Sequence, residues 1–212
     1  MRRRDWLVPL LLMIYAILPL IPGAFRLVEL GGGPHILPAN PRATGAPLPI
    51  IIHILCAFFY TVAGAWQFSP ALRRTGWHRR AGRLLAPLGM GAAISGLYMT
   101  IVFPTAPEYD ALLLVPVRLV VSTGMAVAIG LALVAIIVKG DVPTHRAWMM
   151  RAYALGLGAA TQLVIFIPTA PFGVPSPMAA SVLLSAAWLI NLCVAEWIIQ
   201  RGTSLRPVAA TS

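Results

Sequence analysis

The chain has 212 residues, of which 59% are hydrophobic and only 10% are charged; this composition excludes an ordinary soluble domain and is typical of a polytopic membrane protein. The net charge of +10 does not indicate nucleic-acid binding. The arginines fall between apolar runs rather than along one helical face with interleaved aromatic residues.

Six apolar runs, each close to the roughly 20 residues that cross the hydrocarbon of a bilayer, follow one another along the chain. They lie at about residues 6–23, 47–68, 83–104, 111–138, 147–168 and 178–199. The segment 24–46 is rich in glycine and proline, and we predict that it is the one long outer loop. Since the other connections are short, we predict an all-α, compact six-helix bundle in which residues 1–212 form a single transmembrane domain.

Glycines and other small residues in the third, fourth and fifth runs predict close helix contacts, because lipid provides no hydrophobic drive for helix association. No internal repeat and no pair of broken helices is evident in the sequence. This speaks against a transporter built from inverted repeats.

The lysines and arginines predict the orientation of the bundle. If the chain has six spans, thirteen lysines and arginines fall on one side of the membrane. Two, Arg26 and Arg42, fall on the other side, and Arg118 lies within a span. Because positive residues accumulate on the cytoplasmic side, both termini are predicted to be cytoplasmic, and that side is called the inner side below. These arginines would pair with anionic lipids of the bilayer without any further function.

Polar residues within the spans are the candidates for a function, because lipid makes them costly. At a rise of about 1.5 Å per residue, His53, Tyr98, Met99, Arg118 and Gln162 reach one level below the outer boundary. We predict that they form an outer cluster in which His53 and Arg118 approach each other, since Arg118 has no carboxylate at its depth. Alternatively, Arg118 extends to the surface and His53 hydrogen-bonds a neighbouring helix.

On the inner side, residues 73–83 (RRTGWHRRAGR) and 139–151 (KGDVPTHRAWMMR) each bring a histidine to the start of a helix. A flat space beside the imidazole of His78 is expected at Gly82, four residues later, and Thr144 is the predicted N-cap of the fifth helix. Trp148 and Met149 share a helical face with His145, the histidine of the second stretch. The predicted inner cluster comprises His78, Arg79, Arg83, His145, Trp148 and Arg151.

Arg151 and Glu196 reach a comparable depth in the inner halves of their spans and are predicted to pair. Without that pair, Glu196 would be a candidate proton carrier. Gln67 and Asn191 are expected to complete the hydrogen bonds of this layer.

The stretches HILCAFFYTVAGAWQF, HRRAGRLLAPLGMGAAISGLYM and HRAWMMRAYALGLGAATQ resemble, in this order, an uncharacterised bacterial family of predicted polytopic membrane proteins. Its elements are a histidine that opens the second helix, His-Arg-x-x-Gly-Arg and His-Arg-x-Trp-Met-x-Arg. The resemblance covers roughly residues 50–165 and implies a multi-pass protein of the bacterial cytoplasmic (inner) membrane. It supports the choice of His53, His78, His145, Arg146 and Arg151, but it implies no reaction.

A weaker resemblance, to six-helix b-type cytochromes, implies one haem b at the inner face. Its iron would be held by His78 and His145, and Arg79, Arg83 or Arg151 would meet the propionates. The two-haem pattern is not met, because only three histidines lie at membrane level.

Three functions follow as hypotheses. The first is a redox protein that binds haem or a quinone, where His53 with Arg118, or His145 with Arg151, donates to the quinone carbonyls and Trp148 stacks on the ring. The second is a non-catalytic subunit or assembly factor whose basic inner loops bind anionic lipid or other membrane proteins. The third is a transporter in which Arg118 and His53 hold a small anionic substrate. Whether the chain is an enzyme stays open.

Overall fold

The computed structural model describes residues 4–38, 40, 45–173 and 175–204, and within these ranges no strand is present. The described α-helices, in chain order, are α1 (Arg4–Ile17), α2 (Leu20–Leu30), α3 (Pro47–Ala65), α4 (Pro70–Arg73), α5 (Trp77–Val102), α6 (Ala111–Ile137), α7 (Val142–Gly156), α8 (Gly158–Phe166) and α9 (Pro177–Ser204). Short 3-10 segments follow α3 at Trp66–Phe68 and α8 at Ile167–Phe172. The prediction of an all-α polytopic membrane protein is confirmed.

Four spans are single helices: α3 with its 3-10 segment, α5, α6 and α9 are each long and apolar enough to cross a bilayer. Two further spans are bent pairs of helices. Trp6–Ile17 and Leu20–Leu30 meet at 42°, and Val142–Gly156 and Gly158–Thr169 meet at 41°. When each pair is counted as one span, the described residues give the six spans that were predicted, but the expectation that no pair of broken helices exists was wrong.

The outer loop is shorter than the predicted segment 24–46, because α2 continues to Leu30. Pro19 interrupts the helical hydrogen bonds, so the chain changes direction there and then resumes a helix. Glu29 stabilises the end of α2. Its carboxylate accepts hydrogen bonds from Arg26 and from the backbone N–H groups of Ile36 and Leu37, each at 2.7 Å. Glycine and proline content alone did not reveal this helix, and Arg42 lies outside the described residues.

Two inner helices begin earlier than predicted. Helix α5 begins at Trp77 rather than at residue 83, and α7 begins at Val142 rather than at residue 147. The N-cap of α7 is Asp141, not Thr144: the Asp141 carboxylate accepts the backbone N–H of Thr144 at 3.0 Å. Hydrogen bonds from Thr144 hold the pKa of Asp141 below its ordinary value.

A chain of hydrogen bonds joins the two bent spans to the last helix. The Tyr15 hydroxyl donates to Thr161 Oγ1, which donates to Asn191 Oδ1, both at 2.7 Å. Asn191 Nδ2 then donates to the carbonyl of Ala154 at 3.0 Å, in the last turn of α7. The side chain of Asn191 thus compensates for a carbonyl at the bend of the fifth span, as lipid-embedded backbone requires.

Close helix contacts at small residues are confirmed for the third and fifth runs. The ring of Tyr60, which is 2% exposed, lies between Gly89 of α5 and Gly156 of α7. A Cβ atom on these glycines would come within 2.6 and 3.0 Å of that ring. In the fourth run, a Cβ atom on Gly124 would lie 3.8 Å from the Leu155 side chain, whereas one on Gly130 would meet nothing within 4 Å.

The side on which the termini lie stays a prediction. We expect a reporter fused after Ser212 to be active only in the cytoplasm, because thirteen lysines and arginines lie on that side against two on the other. A reporter inserted at residues 104–107, between α5 and α6, is the matched control and should be active only outside. If the reporter after Ser212 were active outside and the reporter at 104–107 in the cytoplasm, the predicted orientation would be reversed.

Candidate functional site

The inner ends of α3, α5 and α7 converge at the inner side of the bundle. The Tyr153 hydroxyl of α7 donates to the carbonyl of Thr61 at 2.7 Å, and the rings of Phe68 and Tyr153 lie 4.9 Å apart. Two contacts set the antiparallel register of α3 and α5: His53 hydrogen-bonds to the carbonyl of Ala92, and the ring of Tyr60 packs on Gly89. Gln67 lies in the 3-10 segment that follows α3, and His78 lies in the first turn of α5, so both belong to the inner end of the bundle.

Buried polar atoms without partners mark this region. Gln67 Nε2 and Oε1 and His78 Nδ1 are buried, and none of the three forms a hydrogen bond with another described residue. A buried unsatisfied donor or acceptor costs about 1–3 kcal/mol. A Cβ atom on Gly82, four residues after His78, would meet nothing within 4 Å; the flat space beside the imidazole stays a prediction. We call Gln67, His78 and His145 the inner site.

His145 is held in one orientation by the fold. Its Nδ1 lies 2.9 Å from the carbonyl oxygen of Ala132 on α6. A carbonyl only accepts, so Nδ1–H donates this hydrogen bond, and in the neutral imidazole Nε2 carries the lone pair. His78 and His145 lie in the first turns of α5 and α7, at the same end of the bundle. Whether the two imidazoles approach closely enough to hold one ligand stays a prediction.

Arg151 and Trp148 have partners within the protein. The predicted pairing of Arg151 with Glu196 is confirmed, with Nη2 2.9 Å from Oε2 and a second hydrogen bond from Nε to Oε1. The guanidinium also lies 4.5 Å from the centre of the Trp148 ring. The three side chains therefore fasten α7 to α9.

Two details of that layer were predicted wrongly. Asn191 does not complete it, because its amide bonds to Thr161 and Ala154, and the Gln67 amide is without a described partner. Arg79 and Arg83 extend from the first turns of α5 and are exposed. Whether they, Trp148 or Arg151 also contact a cofactor stays a prediction.

The residues of the predicted outer cluster have described partners on different elements. His53 Nδ1 lies 2.9 Å from the Ala92 carbonyl and 3.2 Å from Ser95 Oγ, which agrees with the alternative that His53 bonds to a neighbouring helix. The Arg118 guanidinium lies 6.0 Å from the centre of the Tyr109 ring. Whether His53 and Arg118 share a ligand stays a prediction.

The other members of the outer cluster face in different directions. Tyr98 is 46% exposed, whereas Met99 is 5% exposed. The Tyr98 ring packs edge-on against Phe103 at 6.4 Å. Gln162 Nε2 donates to the carbonyl of Leu184 on α9 at 3.3 Å. Gln162 thus ties α8 to α9.

Sequence reasoning missed two groups of polar residues. The hydrogen-bond chain from Tyr15 to Asn191 joins residues of which only Asn191 had been considered. The Tyr60 hydroxyl is buried and has no described partner. Tyr15 and Tyr60 occur within apolar runs, where a tyrosine has no distinct signal, because its ring suits the core as well as its hydroxyl suits a site.

No group of three or more histidine, cysteine, aspartate or glutamate residues within the described ranges could hold a metal ion on its own. A haem iron would need only two of them, so the prediction for His78 and His145 is untouched.

Comparison with known proteins identifies the family. The family model described as "Predicted membrane protein (DUF2306)" matches residues 50–199, which extends the resemblance beyond residue 165 to include most of α9. No curated protein and no solved structure matches the chain significantly. The matched segment contains His53, the inner site and the Arg151–Glu196 pair, and it covers well over half of the chain. The chain therefore belongs to the DUF2306 family of predicted membrane proteins.

Proposed function

We propose that this chain is a redox protein of the bacterial inner membrane that binds the head group of a quinone at the inner site. The observation that carries the proposal is the group of three buried polar atoms of Gln67 and His78 that lack a described partner. Lipid makes such atoms costly, and a polar occupant would compensate for them.

The chemistry of the inner site suits both redox forms of a quinone. A quinone carbonyl only accepts hydrogen bonds, whereas a quinol hydroxyl also donates one. The Gln67 amide can donate through Nε2 and accept through Oε1, and an imidazole can donate or accept according to its tautomer. A Cβ atom on Gly82 would meet nothing within 4 Å, so no side chain at that position would obstruct a ring bound beside His78. Trp148 lies against Arg151, and its stacking on the quinone ring stays a prediction.

The position of the inner site suits proton exchange. His78 lies in the first turn of α5 and His145 in the first turn of α7, at the end of the bundle predicted to face the cytoplasm. An imidazole there can exchange a proton with water near neutral pH. When a separate membrane redox partner reduces a quinone to a quinol, the quinone takes up two protons with the two electrons from that partner, and His78 and His145 would pass the protons from water to the bound head group.

We expect Gln67→Leu to weaken binding of a short-chain quinone analogue at least about tenfold, which corresponds to about 1.4 kcal/mol and to the loss of one or two hydrogen bonds. Binding is measured on the detergent-purified full chain by quenching of tryptophan fluorescence. The matched control is Gln162→Leu, since that amide already donates to Leu184. Equal affinities in the parent and Gln67→Leu proteins would refute the proposal.

Thermal stability, measured beside quinone affinity, distinguishes an inner site that binds a quinone from one that holds only ordered water. If Gln67 only binds water, Gln67→Leu leaves quinone affinity unchanged and alters thermal stability alone. Absence of quinone binding in the parent protein would favour the non-catalytic subunit or assembly factor.

Haem b is the second candidate for the inner site. The supporting observation is His145, whose Nδ1–H donates to a backbone carbonyl, as is typical of a histidine that binds a metal through Nε2. Absorption spectra of the same oxidised and reduced preparation decide between the cofactors. A Soret band that is present in the parent and absent in His145→Ala would show that the inner site binds haem rather than a quinone.

The transporter hypothesis gains one observation, the two bent spans. However, the side chains described at the bends, Tyr15, Thr161 and Asn191, are hydrogen-bonded to one another or to backbone. They support packing of the bent helices better than they support binding of a small anion.

A further inference from the structure

Helix α9 packs one face into the bundle and leaves the opposite face exposed. The buried face consists of apolar residues: Ala180, Leu184, Ala187 and Ala195. The exposed face includes four residues that follow one another at spacings of three, four and three: Ile190, Cys193, Trp197 and Gln200. This alternation is that of the a and d positions of a coiled coil, which lie in one line along a helix. We call these four residues the α9 seam.

Two charged side chains of α9 flank the seam near its inner end. In the same heptad, Glu196 occupies the g position on one side of the seam and Arg201 the e position on the other. The ion pair with Arg151 leaves 37% of the Glu196 side chain exposed, and the exposed Arg201 stacks on Trp197. Lipid covers an apolar helix face without cost, but it makes an exposed carboxylate costly. The charges beside the seam therefore favour a protein partner over lipid.

A second copy of the chain has the matching charges in the matching places. All copies insert with one orientation, so two α9 helices that meet on a two-fold axis along the membrane normal are parallel. In a parallel pair, a g residue faces the e residue five positions later in the other helix. Glu196 and Arg201 are five positions apart. Each Glu196 thus faces Arg201 of the partner subunit, and symmetry forms this pair twice.

The pair with Arg151 leaves Glu196 able to bind a second guanidinium. Its carboxylate accepts two hydrogen bonds from Arg151, whereas an ionised carboxylate offers about four acceptor positions. The side chain is exposed on the side of α9 that bears the seam, because Glu196 follows Cys193 by three residues. The ion pair within one copy and the pair between copies are therefore compatible.

We infer that the α9 seam is the interface of a symmetric dimer of this chain. The four seam residues pack against their own copies, and the two Glu196–Arg201 pairs fix the register of the helices. Left-handed helix pairs that cross at about +20° are the commonest in membranes, and they have the spacing of the seam. The inference is independent of the quinone proposal, because it uses neither Gln67 nor His78.

Cys193 lies within the seam, so the chain carries its own reporter for this interface. The test uses the full chain in membrane vesicles with Cys56→Ala, which leaves Cys193 as the only cysteine. Across a two-fold axis at a d position, the Cα atoms come within the roughly 4.4–6.8 Å that a disulfide requires. We expect copper phenanthroline to link the chain into dimers.

The matched control moves the cysteine to the same depth outside the seam. Cys56→Ala/Cys193→Ala/Ile198→Cys places it at an exposed position of the same helix that points away from the seam. Its disulfide should form at least about tenfold more slowly, because its Cα atoms lie too far apart in the dimer. Equal rates at the two positions, or a disulfide that joins Cys193 to a protein of another mass, would overturn the inference.

Charge reversal tests the ion pairs between the copies. Arg201→Glu places like charges opposite each other twice, and the dissociation constant of the dimer should rise at least about tenfold, which corresponds to about 1.4 kcal/mol. It is measured in proteoliposomes by energy transfer between fluorescent proteins fused to the N terminus. Arg80→Glu reverses the charge of an exposed arginine of α5 on the same side and should change the constant by no more than about twofold.

A charge-preserving variant covers the case in which Arg201→Glu does not fold. Arg201→Lys keeps the charge at the e position, and both the energy transfer and the Cys193 disulfide should persist in it. Equal effects of Arg201→Glu and Arg80→Glu, or loss of the dimer in Arg201→Lys, would show that Glu196 does not pair with Arg201 of the partner subunit. Either result would overturn the inference.

Discussion

We expect Gly158→Ala to lower the free energy of unfolding by about 1–3 kcal/mol, the usual cost of overpacking a close contact. The three atoms nearest to a Cβ at this position all belong to the indole ring of Trp188, and the added methyl would overlap that ring. Trp188 is partly buried and packs against the core, so a rotation of its side chain away from Gly158 would itself lose contacts. We therefore expect the substitution to separate α8 from α9.

The control for Gly158 is Gly130→Ala in α6. A Cβ there would meet nothing within 4 Å, and alanine favours a helix by about 1 kcal/mol relative to glycine. Gly130→Ala should therefore be neutral or stabilising. Both variants are compared with the parent by unfolding in mixed micelles, followed by circular dichroism. Equal effects of the two substitutions would mean that Trp188 does not press on Gly158.

The spans could be predicted because hydropathy and length are nearly sufficient for a helix in lipid, where every backbone group must be paired internally. The bends could not be predicted in the same way. Pro87 and Pro116 lie inside the long helices α5 and α6, whereas the fifth span breaks at Leu157, where there is no proline. The difference lies in side chains from other helices, such as Asn191, that pair with the backbone at a bend.

Depth along a helix predicted which residues lie at one level, but not the direction in which each points. Tyr98 and Met99 differ by a single position, yet one is largely exposed and the other is buried. The same limit applies to Gln67, which was assigned by depth to the layer of Glu196 but whose amide has no described partner. A count of rise per residue contains no information on rotation about the helix axis.

The pairing of Arg151 with Glu196 could be predicted from sequence, because opposite charges at one depth have few alternative partners in lipid. The inner site was predicted only in part. His78 and His145 stand out in an apolar sequence, whereas the unpaired amide of Gln67 became apparent only from its burial. Its significance depends on neighbours contributed by two other helices, and no spacing within the sequence records them.

Removal of one member of the Arg151–Glu196 pair should also lower the free energy of unfolding by a large amount. Their side chains are 25% and 37% exposed on the protein surface, and the size of the effect depends on what covers that surface. If water covers it, the pair is worth at most about 1 kcal/mol. If lipid covers it, the remaining charge is stranded, and the loss approaches the roughly 3–5 kcal/mol found for a broken buried pair.

We expect the lipid value to be the closer one, because both residues lie in membrane spans and Arg151 is also stacked on Trp148. Arg151→Met and Glu196→Met should each lower the free energy of unfolding by about 2–4 kcal/mol. The double variant should lose less than either single variant, since no charge is left without a partner. Unfolding of the four proteins in mixed micelles gives the coupling energy as a double-mutant cycle.

The matched control is Arg201→Met. Arg201 lies on α9, is exposed, and stacks on Trp197 with its guanidinium carbon 3.9 Å from the ring centre. It lies near the inner end of the helix, where an arginine can reach water, and its loss should cost no more than about 1 kcal/mol. A coupling energy below about 1 kcal/mol for Arg151 and Glu196, with additive single effects, would show that water reaches the pair. Glu196 would then be open to protonation from the cytoplasm, and a proton-carrying role for it would regain support.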